Sequence, residues 1–127
     1  MLRRVARRVA AAEGFESGQL SVAIVGARRM ANLHWQYLGV GGPTDVLTFD
    51  LGSDRRHGRL DGEIVLCADV ARRQRAWRAE LALYLVHGVL HLAGYDDRTP
   101  RAARRMHARE AELLRELGIA YSPVEAA

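Results

Sequence analysis

Between residues 2 and 12, Val5, Val9 and a series of alanines recur at three-to-four spacing against the pairs Arg3-Arg4 and Arg7-Arg8. That is the period of an amphipathic helix, one face apolar and the other solvated. The β-branched run "LSVAIVG" (20–26) ends at glycine and predicts a short buried strand. Helical spacing returns over 27–38 through Met30, Leu33, Tyr37 and Leu38, and "GVGGP" (39–43) breaks it as a flexible loop. In "TDVLTFDLG" (44–52), Val46, Thr48 and Asp50 alternate with Leu47, Phe49 and Leu51, the period of a strand. A polar turn region (53–62) precedes a further strand, "EIVLCA" (63–68). From Val70 to Leu92 the pattern is helical, with a break expected near Trp77–Arg78. Thr99-Pro100 has the form of an N-cap followed by a first-turn proline, opening a helix that ends at Gly118.

Helices before and after a small group of strands, with no repeat and no linker, predict an α+β or mixed α/β chain of one compact layer pair, a single domain over residues 1–127. A length of 127 residues suffices for one real core and is short for two. No run of about 18 apolar residues is present, so no transmembrane helix is expected. The arginine-rich start lacks the apolar stretch of a secretory signal. The lone cysteine, Cys67, excludes an internal disulfide framework, suits a cytoplasmic location, and reads as a small buried strand residue.

Charge adds a direction. The net charge is +4, and all 19 basic side chains are arginine. Arginine favours bidentate contact with phosphate, so a nucleic-acid partner is permitted, although a GC-rich genome produces the same bias.

The stretch that carries chemistry is "HGVLHLAGYDD" (87–97). Residues four apart share a helix face, so His87 and His91 can bind one metal ion. Two histidines hydrogen-bonded at a helix surface are the plainer alternative. Gly94 stands where the helix must stop, and the chain turning back there brings a carboxylate toward the histidine face. Asp97 is the better third ligand, with Asp96 the alternative. Helix, glycine turn and third ligand match the arrangement of metzincin-type zinc sites. The glutamate that serves those proteases as general base is missing, because the position after the first histidine is Gly88. His34, His57 and His107 have no partner at ligand spacing and read as surface or structural residues.

The same stretch resembles the H-G-x-L-H-L-x-G-Y-D-H motif of the YbeY family, bacterial endoribonucleases and rRNA maturation factors. "GPTDVLTF" (42–49) resembles that family's P-T-D-V-L-S-F segment, and "DGEIVLCADVARRQ" (61–74) its G-D-I-V-I-x-x-D-x-A-x-x-Q segment, in family order. The resemblance implies an α+β domain with a small, largely parallel mixed sheet and a metal site at the end of the histidine helix. It also implies cleavage of single-stranded RNA in 16S rRNA maturation and small-subunit biogenesis, with rRNA and the small ribosomal subunit as partners, and neither membrane nor DNA.

Position by position, the family's three histidine ligands fall on His87, His91 and Asp97. Aspartate is an acceptable zinc ligand, so one divalent ion per chain, zinc first, is expected, and harder metals should compete better than at three histidines. A second departure lies at residues 34–38. His34 replaces the family's asparagine, and Leu38 its arginine. Arg55, Arg56 or Arg59 in the following turn are candidates to supply the missing substrate-binding charge. Asp96 is the candidate for ligand orientation or proton transfer, with capping of its own loop as the alternative, and Thr44 and Asp45 are candidates to line the cleft. Two other functions compete with the endoribonuclease: a ribosome-assembly binding factor with a mainly structural metal, and a metalloendopeptidase, disfavoured by Gly88.

Overall fold

The structure is a computed structural model and describes residues 1–120. Helix α1 (Leu2–Ala12) buries Val5 and Val9 and leaves its four arginines in solvent, as the spacing predicts. It ends in a tight turn that feeds strand β1 (Ser17–Val25). Helix α2 (Ala27–Leu38), strand β2 (Val46–Asp50) and a single 3-10 turn (Arg55–His57) lead to strand β3 (Arg59–Cys67). Helices α3 (Ala68–Ala71), α4 (Trp77–Leu92) and α5 (Pro100–Glu116) follow.

The three strands form one mixed sheet in the order β1-β3-β2. β1 runs parallel to β3 over nine paired positions, from Ser17↔Arg59 to Val25↔Cys67, and β2 runs antiparallel to it over five. β3 is therefore the central strand. Its side chains alternate between the two faces: Ile64 and Leu66 pack with α1, α4 and α5, while Val65 and Cys67 pack with Met30 of α2 and Leu47 of β2. The expected pair of layers thus gains a partial third, because α2 covers a small second cluster on the far face. Cys67 is buried at the end of a strand, as read from its type.

All three strands differ from the sequence reading, two in their bounds and one in its burial. β3 begins at Arg59 rather than Glu63, because a central strand receives backbone hydrogen bonds from both neighbours and can run through polar residues. β1 is not a buried strand. It lies at the sheet edge, none of its nine residues is fully buried, and Ile24 is half exposed. β2 stops short of Thr44 and Asp45, where the Asp45 carboxylate caps the strand by accepting from the Val46 N–H at 2.8 Å. The helical break falls across residues 72–76, just ahead of Trp77.

α4 is the centre of the larger layer. Leu81, Ala82, Leu85, Val86, Val89 and Leu90 are all buried, and the face carrying Leu83, His87 and His91 is half-buried. Gly88 makes that depth possible. A methyl group at this position would sit 2.8 Å from Ile64 Cδ1 and 3.1 Å from Thr48 Oγ1, so only glycine lets the helix lie this close to the sheet.

Candidate metal centre

The last two turns of α4 place His87 and His91 on one face, both half-buried. The helix then closes with the Tyr95 N–H bonded to the Leu90 carbonyl and the Gly94 N–H to that of His91. This six-to-one closure needs a left-handed residue at its corner, and Gly94 supplies it with φ +102°. The reversed chain carries Asp97 back over the histidines. One ligand atom from each of His87, His91 and Asp97 falls within 4.8 Å of the other two.

The ring orientations are set from behind. His87 Nδ1 lies 2.7 Å from Glu110 Oε1, and His91 Nδ1 lies 3.1 Å from the Tyr95 carbonyl oxygen. Both Nε2 atoms therefore point inward, 3.0 Å from each other. Nδ1 anchored by a carboxylate or carbonyl, with Nε2 free to coordinate, is the arrangement that orients histidine ligands at metal sites. Two imidazoles and one carboxylate fit a divalent ion of the zinc type, and three protein donors leave one tetrahedral position for water or substrate.

Electrostatics separate the two rings. Burial pushes the His87 pKa down, but the hydrogen bond and charge of Glu110 outweigh it, so the imidazole holds its proton above the ordinary range. His91 is pushed below the ordinary range, by burial first and by neighbouring His87 second.

Glu110 is absent from the sequence reading. It is a buried acidic residue on the apolar stripe of α5, in register with Met106, Leu113 and Leu114. A charge on a buried stripe was the available signal. Glu13 carries the same signal, one turn beyond Val5 and Val9. Its buried carboxylate accepts from Arg109 Nε and Nη2 at 2.9 and 2.8 Å and from Arg55 Nη2 at 3.4 Å.

The remaining candidates fall in different places. Asp96 is exposed and accepts from the Arg98 N–H at 3.1 Å, capping its own turn outside the three-donor group. Arg55 is engaged internally, donating to the Glu13 and Ala93 carbonyls at 3.1 and 3.4 Å. Arg59 pairs with Asp61, and Arg56 is exposed. Asp45 is near enough for its charge to act on His87. Leu38 lies exposed at the end of α2, and His34 Nδ1 meets the Gly42 carbonyl at 2.9 Å, tying the glycine loop to α2. Gly88 faces Ile64 and Thr48, so a glutamate there would enter the sheet rather than reach the ligands.

The chain is similar to known proteins over most of its length. The family described as Endoribonuclease YbeY matches residues 1–118. Endoribonuclease YbeY of Anaeromyxobacter sp. (strain Fw109-5) is 42% identical over 123 residues, covering 93% of this chain and 64% of that protein. The protein of the same name from Mycolicibacterium gilvum is 39% identical over 114 residues, 79% of this chain and 64% of its own length. The chain thus spans just under two thirds of the length of these relatives. The solution structure of TM1509 from Thermotoga maritima shares the fold, with a TM-score of 0.60 at 25% identity over 92% of this chain and 81% of that one. With a family match across nearly all the described residues, the chain belongs to the Endoribonuclease YbeY family.

Proposed function

We propose that this chain is a metal-dependent endoribonuclease that cuts single-stranded RNA during 16S rRNA maturation and small-subunit assembly in the cytoplasm. The observation that carries the reading is the convergence of two inward-facing Nε2 atoms with Asp97, in a chain of this family. His87, His91 and Asp97 hold the ion, zinc by preference of the donor set. A divalent ion at this position supplies electrophilic stabilisation of charge on a phosphoryl oxygen and acidifies a water molecule. Glu110 and the Tyr95 carbonyl keep the two imidazoles in the tautomer and orientation that coordination needs. Asp96 caps the turn that carries the third ligand, accepting from the Arg98 N–H. Peptide hydrolysis is not favoured, since position 88 has neither the base nor the room for one.

The test is cleavage of a labelled single-stranded rRNA fragment by the zinc-loaded protein, with a chelator control and His91→Ala. Cleavage should require the ion and fall away in the variant. Stoichiometric zinc without ion-dependent cleavage would favour the assembly-factor reading, and no zinc uptake would remove the metal from both. Leu38→Arg should raise cleavage if a missing phosphate contact limits substrate positioning.

A further inference from the structure

A second concave site adjoins the metal centre. A cavity of about 280 Å³ opens at the start of α5, bounded by Arg55, Tyr95, Asp96, Thr99, Arg101 and Arg105. Its floor is the turn whose next residue is Asp97 and whose Tyr95 carbonyl holds His91. We propose that this pocket holds a backbone phosphate of the single-stranded RNA, adjacent on the strand to the phosphodiester at the metal centre, an assignment that rests on the endoribonuclease reading.

Three guanidinium groups face one carboxylate in this pocket, and that carboxylate, Asp96, already accepts from the Arg98 N–H. Arg101 and Arg105 lie one helical turn apart, so both reach the same cavity. Among the described residues neither lies within 4.0 Å of a carboxylate, whereas Arg59 and Arg109 are committed to Asp61 and Glu13. The Tyr95 ring positions the others: the Arg105 guanidinium lies 5.3 Å from its centroid and that of Arg55 lies 5.8 Å away. Stacking of this kind orients a guanidinium while leaving its N–H edge available. Arg55 has its donors engaged with Glu13 and Ala93, so it contributes field, while Arg101 and Arg105 contribute the contacts. The positive end of the 17-residue α5 adds to the same potential, with Thr99 capping only the Ala102 N–H.

The experiment is a salt titration of binding between the zinc-loaded chain and a fluorescent single-stranded 2′-O-methyl oligoribonucleotide, paired with steady-state cleavage of the unmodified RNA. On a single strand each phosphate contact contributes roughly −0.7 to the slope of log affinity against log salt. Arg101→Ala/Arg105→Ala removes the contact to that one phosphate, so it should flatten the slope by roughly 0.7 and raise KM more than it lowers kcat, with zinc affinity unchanged. Arg101→Lys/Arg105→Lys should keep the slope, and Arg4→Ala/Arg8→Ala on α1 should keep both slope and KM. A parent chain that cleaves RNA while the double alanine variant retains slope and KM would overturn the pocket alone. A parent that neither binds nor cleaves RNA would overturn the endoribonuclease reading with it. Competition by inorganic phosphate, lost in the double alanine variant while its RNA slope is unchanged, would make this a free-phosphate site and overturn the RNA assignment.

Discussion

Glu110 stands behind His87 with its carboxylate 2.7 Å from Nδ1, and its effect on the ion should exceed its distance from it. Glu110→Gln should lower zinc affinity about 10- to 100-fold, the usual effect of losing such an anchor, measurable by competition with a chromophoric chelator. The pH dependence has a definite sign. Zinc must displace the proton that Glu110 helps His87 to hold, so affinity should begin to fall on acidification above the ordinary histidine range. In Glu110→Gln that loss should move to lower pH, even though affinity at high pH is weaker. For the metal-free chain the linkage runs the other way. A raised folded-state pKa gives stability that is full below the unfolded value and is lost as pH rises through the folded one. Hence the zinc-induced rise in Tm should grow with pH, and a rise that shrinks with pH would contradict the role given to His87. Legibility divides on the same residues. His87, His91 and Asp97 lie within one helix and one turn, where spacing shows which atoms can meet. Glu110 arrives from another helix, and its only local sign is a charge among Met106, Leu113 and Leu114.

Helix ends make the next test. Gly94 and Gly118 close α4 and α5 with the same pair of backbone hydrogen bonds, Tyr95 to Leu90 and Gly94 to His91 in one, Ile119 to Leu114 and Gly118 to Arg115 in the other. Both have positive φ, 102° and 71°, and neither has an atom within 4 Å of an added methyl group. Alanine at either should therefore destabilise through backbone strain alone, by about 1 kcal/mol or somewhat more. Only Gly94 carries a ligand on its far side, so Gly94→Ala should also weaken zinc binding, while Gly118→Ala should leave it unchanged. Equal zinc affinity in the two variants would detach the turn from the site. Gly88→Ala tests a different constraint. The gain in helix propensity, about 1 kcal/mol, is set against overpacking on Ile64 and Thr48, typically about 1–3 kcal/mol, so chemical denaturation should show a net loss. The amphipathic α1, α2 and α5 are legible because each has one wet face. α4 reads as helix but its environment does not show in its period, because its buried surface wraps most of the helix and its half-buried face carries apolar Leu83 beside the two histidines. The start of β3 at Arg59 was not legible, since what extends it is pairing with residues more than 40 positions away.

At the scale of the whole molecule, the order β1-β3-β2 depends on long-range pairing that no local pattern encodes, and so does the tie that joins the chain's first helix to its last. Glu13, at the end of α1, receives Arg109 of α5 and Arg55 of the 3-10 turn on one buried carboxylate. Arg55 in turn donates to the Ala93 carbonyl, where α4 ends and the metal turn begins. Glu13 thus holds the scaffold around the site without touching the ligands. Removing it leaves Arg109, whose side chain is 20% exposed, with the more exposed Glu112 at 2.6 Å as its remaining carboxylate partner. Since Arg55 and Arg109 both reach solvent and Arg109 keeps Glu112, the loss is that of unsatisfied polar groups, about 1–3 kcal/mol, so Glu13→Ala should lower Tm by roughly 4–11 °C for a chain of this size. The ligands themselves remain, so zinc at about 100 times its Kd should still restore about 2.7 kcal/mol by binding only the folded state. His91→Ala should behave in the opposite way: its Tm without metal should stay close to the parent's, because α4 keeps its buried Leu81, Leu85, Val86 and Leu90, while the zinc-dependent rise disappears. Thermal scans of both variants with zinc and with chelator separate the two roles. A Glu13→Ala protein that is as stable as the parent, or one that is destabilised and no longer responds to zinc, would show that the buried carboxylate and the metal centre do not divide scaffold from site in this way.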